Sequence, residues 1–216
     1  MIKFIEKLLS LIYIQPCYFC KSTKEDTLIC SKCYSKIKFL GIDVFKKIND
    51  VNIYACTIYD EIIKKLIRDL KYHKQKQLAP LQAQIMKKYL DELKLTEDFL
   101  ILPVPIHPNR KKERKYNHMD LVGEELSKTT GYKINKEFLR RIKDTQKQYK
   151  LNKQERIKNI NGAFDIDISQ SINKDTQLLI IDDITSTGIT LEEIIKTLKT
   201  HGYNKITAIT LATPKF

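Results

Sequence analysis

The stretch QLLIIDDITSTGITLEEII, Gln177 to Ile195, decides the fold. Leu178 to Ile181 form a short apolar run of the kind a strand buried on both faces shows, and Asp182 and Asp183 stand where that strand ends. Leu191, Ile194, Ile195 and Leu198 then recur at helical spacing, one face of an amphipathic helix. Between strand and helix lie Ile184, Thr185, Ser186, Thr187, Gly188, Ile189 and Thr190, rich in hydroxyls and hinged on a glycine. Backbone N–H groups at a helix start can cradle a phosphate, and an acidic pair at a strand end can accept hydrogen bonds from sugar hydroxyls. A phosphorylated sugar suits such a loop. The bland alternative is a loop whose hydroxyls merely cap the helix. Two nucleotide loops are excluded, because neither a Gly-Lys-Ser/Thr nor a G-x-G-x-x-G is present there.

Working outward, 216 residues with 42% hydrophobic content allow one full α/β domain and a small companion. The balance of 39 Lys and Arg against 26 Asp and Glu, +13 overall, favours a polyanionic partner. No apolar run approaches the ~20 residues of a membrane span, so no integral membrane segment is expected. Residues 1–14 place Phe4, Ile5, Leu8, Leu9 and Ile12 on one helical face. This helix is read as packed on its own domain, against the alternative of docking on a membrane surface or partner. Glu6 and Lys7 interrupt the apolar stretch and argue against a signal peptide.

Cys17-x2-Cys20 and Cys30-x2-Cys33 are two knuckles able to enclose a tetrahedral zinc with four thiolates, a structural site. Disulfides are the alternative, disfavoured by the isolated Cys56, which is read as a buried inert thiol. Tyr18, Phe19, Lys21, Lys24, Lys32, Tyr34 and Lys36 interleave rings and cations around the cysteines. Stacking on single-stranded nucleic acid and simple cover for the metal fit that pattern equally. Residues 1–45 are expected to hold the first helix and the cysteine module, and 46–216 the larger domain.

In that domain Val51 to Tyr59 reads as a strand. Helices carrying Ile63, Leu66, Ile67 and Leu70, then Leu81, Ile85 and Met86, follow it. Phe99 to Val104 reads as a buried strand, and Pro105 and Pro108 are expected to stop any helix and force an exposed loop. Arg110, Lys111, Lys112, Arg114 and Lys115 crowd that loop, with Tyr116 beside them. Such crowding calls for an anionic counterpart, with a solvated basic loop as the alternative.

The motif of apolar strand, Asp182-Asp183 and Ser186-Thr187-Gly188-x-Thr190 resembles the phosphoribosyl diphosphate (PRPP) loop of type I phosphoribosyltransferases. Four further features occur in one order with it: the cysteine knuckles, VPIHPNRKKERKYNH, Arg141-x3-Thr145-x2-Gln148, and the segment from Glu155 to Phe164. That order, from about Cys17 to the final strand, resembles the ComF family of competence proteins. Lys115-Tyr116-Asn117-His118 departs from the family's usual Gly-Phe-Asn-Gln.

The resemblance implies an α/β fold with an open, mostly parallel sheet of the type I phosphoribosyltransferase kind, preceded by a small zinc ribbon. It implies a cytoplasmic role in natural transformation, with single-stranded DNA and a DNA-translocating ATPase as partners. Peripheral attachment at the inner membrane is left open by the first helix. PRPP with magnesium would occupy Asp182 to Thr190, the two aspartates binding the ribose hydroxyls. Arg110, Lys112 and Arg114 would hold the diphosphate, with Arg110 and Arg114 assisting its departure, and Arg110, Lys111, Lys112, Arg114, Lys115 and Tyr116 would contact DNA. The alternative is an active phosphoribosyltransferase on an unidentified acceptor. Purine salvage is disfavoured because Ser186 stands where such enzymes usually carry a carboxylate.

Overall fold

A computed structural model describes residues 15–95, 97–145 and 153–214. The helix expected at 1–14, together with Gln146 and Gln148, lies outside the described residues. The chain divides into two compact units with the boundary between Lys38 and Phe39.

The described residues of the first unit form turns and one short helix, α1 (Ser31–Tyr34). The Cys17 carbonyl accepts from Lys21 N at 2.9 Å and Cys17 N donates to Ser22 O at 2.8 Å. Lys21 takes φ 62°, which curls the chain back after the first knuckle.

The second unit carries a six-stranded sheet. Its strands are β1 (Lys46–Ile48), β2 (Val51–Ile58), β3 (Phe99–Pro103), β4 (Lys133–Ile134), β7 (Gln177–Ile184) and β8 (Ile206–Thr213), in the spatial order β1-β2-β8-β7-β3-β4. Every pairing is parallel except β1 with β2. β5 (Leu139–Arg141) and β6 (Phe164–Ile166) form a separate antiparallel pair. β1, at three residues, is too short to show a period in the sequence.

β7 and β8 lie mid-sheet and are almost continuously buried, as strands covered on both faces must be. On one face, α7 (Ile189–Thr200) packs Leu191, Ile194, Ile195 and Leu198 into a core with Leu178, Ile180, Ala208 and Phe164. On the other lie α2 (Glu61–Tyr72), α3 (Ala79–Leu93) and α5 (His118–Thr130). Asp60 caps α2 by accepting from Ile62 N and Ile63 N, both at 3.1 Å, and Asn117 caps α5 by accepting from Met119 N at 3.2 Å. Gly123 lets α5 sit close on the sheet. A Cβ there would lie 2.8 Å from Ile134 Cδ1, 3.0 Å from Pro103 Cγ and 3.2 Å from Ile181 Cδ1.

The segment after β3 is a short helix, α4 (Pro108–Arg114), rather than an exposed loop. Pro108 occupies the first helical turn, where its missing N–H is no loss and its fixed φ is already helical. His107 Nδ1 accepts from Asn109 N at 3.3 Å and caps it. One more helix, α6 (Lys153–Ile160), precedes β6.

Candidate functional site

Alternation along β7 determines where the acidic pair points. Leu179, Ile181 and Asp183 face α5, whereas Leu178, Ile180 and Asp182 face the α7 side. Asp183 is therefore buried against the helices. Its Oδ2 accepts from His118 Nε2 at 2.9 Å and is ion-paired to Lys71 Nζ. Because an ionised carboxylate only accepts, the proton on His118 sits on Nε2. Its Nδ1 is buried without a partner among the described residues.

Burial alone would raise the Asp183 pKa, but the Lys71 ammonium and the His118 hydrogen bond overcome it and hold the carboxyl well below the usual range. Burial pushes His118 down, so the imidazole is neutral at pH 7. Asp182 is half-buried. Desolvation first, then the negative charge of Asp183, push its carboxyl up to about 7.

The pair lies at the carboxyl ends of the central strands. From β3 the chain goes to β4 on one side, and from β7 to β8 on the other. Such a reversal opens a crevice above the strand ends, where open α/β sheets bind ligands. The loop Thr185–Gly188 forms one lip. Gly188 takes φ 80° as the N-cap of α7, with no side chain capping that helix. The buried Thr185 Oγ1 has no partner among the described residues. These are donor groups of the kind a phosphate takes up. Lys46 of β1, which nothing in the sequence singles out, donates from Nζ to Thr187 O at 2.7 Å and so braces this lip.

α4 forms the other lip and divides its cations between two faces. Arg110 and Arg141 both bond Thr145, one to its carbonyl and the other to its hydroxyl. Arg114 lies over the Tyr72 ring, 4.8 Å from its centroid. Burial first, then the charge of Arg110, lower Arg141 to about 10, with Asp182 opposing the shift. Arg110 and Arg114, four residues apart, thus share the face nearer the aspartates. Lys111, Lys112 and Lys115 turn away and line a cavity of about 780 Å³ with Lys136, Arg140 and Arg141. No residue from Asp182 to Thr190 lines that cavity. Helical spacing therefore separates Lys112 from the two arginines grouped with it in the sequence.

Tyr116, expected among the DNA contacts, is buried at 8% exposure, and its hydroxyl donates to Leu70 O. It bolts the α4–α5 junction to the end of α2, and its ring is not presented for stacking. Sequence reading also missed Lys71, His118 and Arg141. His118 is itself a departure from the family pattern, standing where the family usually has Gln, and that oddity was the available signal.

In the first unit Cys17, Cys20, Cys30 and Cys33 bring their sulfur atoms within 4.8 Å of one another. Cys30 N donates to Cys17 Sγ at 3.4 Å. Burial raises Cys17, but the backbone N–H groups of Cys20, Cys30 and Phe19 outweigh it and bring the thiol down to about 6. Burial and the neighbouring sulfurs push Cys33 up to about 12. Four thiols this close cannot all ionise without a cation among them, and the donor set fits a soft-tolerant dication. Tyr18 and Phe19 meet edge to face at 5.5 Å and are half-buried. In the second unit Cys56 is fully buried and burial raises its thiol, as expected of an inert core residue.

The raised Asp182 sets a pH dependence. A carboxyl whose folded pKa exceeds its unfolded value of about 3.9 contributes stability below that value, and loses it as pH rises through about 7. In thermal melts the Asp182→Asn variant should match wild type near pH 4 and become progressively more stable than wild type towards pH 7.5. A difference independent of pH would contradict the assignment.

Residues 123–215 match the family described as phosphoribosyl transferase domain. The chain is similar to competence protein F of Haemophilus influenzae, 30% identical over 154 residues, 68% of this chain and 66% of that protein. It is also similar to the DNA utilization protein YhgH of Salmonella typhimurium, 25% identical over 150 residues, 67% of this chain and 64% of that one. It thus spans 66% and 64% of the length of these two relatives. Among solved structures, a hypoxanthine phosphoribosyltransferase of Staphylococcus aureus aligns over 64% of each chain at 16% identity, with a TM-score of 0.38. With its four-cysteine cluster ahead of a mostly parallel phosphoribosyltransferase-type sheet, this chain belongs to the competence protein F (ComF) family.

Proposed function

We propose that the protein serves DNA uptake in natural transformation, binding single-stranded DNA in the cytoplasm and keeping a pocket able to hold PRPP with magnesium. The observation that carries the DNA reading is the set Lys111, Lys112, Lys115 and Arg141 around one cavity of about 780 Å³, which also holds Asp120 and Glu137, while its Lys136 and Arg140 are paired to Glu124 and Asp167. Clustered like charges are relieved by a polyanion, and a phosphate backbone supplies it along a groove. The names of the relatives, competence protein F and DNA utilization protein, point the same way. A DNA-translocating ATPase is the expected protein partner.

PRPP would place its 5′-phosphate at residues 185–190 and its ribose hydroxyls at Asp182 and Asp183. Asp183 Oδ2 already accepts from His118 and pairs with Lys71, so the sugar would be met by the remaining carboxylate oxygens of the pair. Magnesium would accompany the diphosphate near Arg110 and Arg114. A second reading, transfer of the phosphoribosyl group to an unidentified acceptor, is favoured by those two arginines sharing the face of α4 nearer the aspartates. It requires the acidic pair, so Asp182→Asn, which leaves the Lys71–Asp183–His118 network in place, should abolish it while leaving DNA affinity unchanged.

The DNA reading is tested by fluorescence anisotropy on a labelled oligonucleotide across a salt series. Replacing Lys111, Lys112 and Lys115 by alanine should weaken binding by roughly one to two orders of magnitude and lower the salt slope by about 2. An unchanged slope would move the DNA elsewhere on the protein.

Zinc is the metal proposed for the four cysteines. Elemental analysis should find one zinc per chain, lost in Cys17→Ser with Cys30→Ser, while the second unit keeps its cooperative melt. Retention of zinc in that variant would remove the cysteines from the site.

A further inference from the structure

Among the described residues, the large apolar side chains left exposed are Ile42, Val44, Tyr72, Ile142 and Ile168, and Tyr72, at 56%, is the one aromatic. It is the last residue of α2, so its neighbour Lys71 turns inward to Asp183 while its own ring faces outward. The Arg114 guanidinium lies 4.8 Å from the ring centroid, and Arg114 Nη2 is 3.4 Å from the phenol oxygen.

The end of α2 is unusually well fixed for a helix terminus. Asp69, 2% exposed, holds Lys65 at 2.7 Å, Arg68 at 3.1 Å and His73 Nδ1 at 2.9 Å. Tyr116 donates to Leu70 O, which pins the α4–α5 junction, and Arg114 with it, against the same turn. Lys76 in turn lies over the Tyr116 ring, 5.0 Å from its centroid. The tyrosine thus projects from a fixed helix end, and the arginine lies against one side of its ring.

We infer that Tyr72 and Arg114 form a stacking platform for a nucleobase, with a base of single-stranded nucleic acid laid on the ring face opposite the guanidinium. A guanidinium on one face of an aromatic ring and a base on the other is a favourable sandwich, because the ring is held flat before binding and loses little entropy. Stacking of this kind is indifferent to base identity, which suits a protein that handles incoming strands of any sequence. The platform rests on the DNA-binding reading and extends it from the phosphates to the bases. It also gives the aromatic role to Tyr72, a residue well separated in sequence from the basic segment and never grouped with it.

The test separates bases from phosphates. Anisotropy is measured with fluorescein-labelled dT12 and with a twelve-unit abasic oligomer carrying the same phosphates, using the full chain. Tyr72→Ala should weaken dT12 binding by roughly tenfold and leave the abasic oligomer unaffected, while Tyr72→Trp restores dT12 affinity. The Lys111, Lys112 and Lys115 alanine variant, in contrast, should weaken both oligomers. If Tyr72→Ala binds both oligomers as wild type does, or weakens both equally, the platform is wrong and the DNA reading stands. If wild type binds neither oligomer, the DNA reading fails and the platform falls with it.

Discussion

The burial of one carboxylate organises the second unit. Asp183 lies at the end of a central strand, 5% exposed, and its Oδ2 is held by a lysine from α2 and a histidine from α5. Removing a carboxylate from water costs several kcal/mol, and only a close cation with further hydrogen bonds offsets it. The network therefore fixes two helices relative to the strand end. Around that fixed point stand the loop Thr185–Gly188, the short basic helix α4 and the turn that carries Tyr72.

Helical geometry then divides the chemistry. A run of five cations in six positions becomes two sets: Arg110 and Arg114, four apart, share one face of α4, whereas Lys111, Lys112 and the C-cap Lys115 lie off that face. Arg110 and Arg114 stay with the aspartates, and Lys111, Lys112 and Lys115 go to the cavity. One seven-residue helix can in this way serve a sugar diphosphate in the crevice and a strand of DNA on its outer side, as proposed. Of these cations Arg114, which lies over Tyr72, is the one the two ligands would share.

The strand, loop and helix from Gln177 to Thr200 were legible in the sequence because local periodicity and an acidic pair are local signals. The four cysteines were legible for the same reason, since ligand spacing is written along the chain. Pro108 misled, because a proline that ends one element can equally begin the next. β4, β5 and β6 are two or three residues long and carry no readable period. Lys71 and His118 were silent for a different reason. Their role exists only once α2 and α5 have packed on β7, and no spacing in the sequence announces a contact across 65 residues such as that of His118 with Asp183. Burial likewise distinguishes Tyr116 from Tyr72, and burial belongs to the fold.

The most direct test of the central claim is a double-mutant cycle on the Lys71–Asp183 pair, read by equilibrium denaturant unfolding at pH 7. Lys71→Met strands a buried carboxylate and Asp183→Asn strands a buried ammonium, so each alone should cost about 3–5 kcal/mol. The double variant should then be less destabilised than the sum of the two by about 2 kcal/mol or more. Additive losses, or single variants within ~0.5 kcal/mol of wild type, would mean that the buried carboxylate does not organise the crevice.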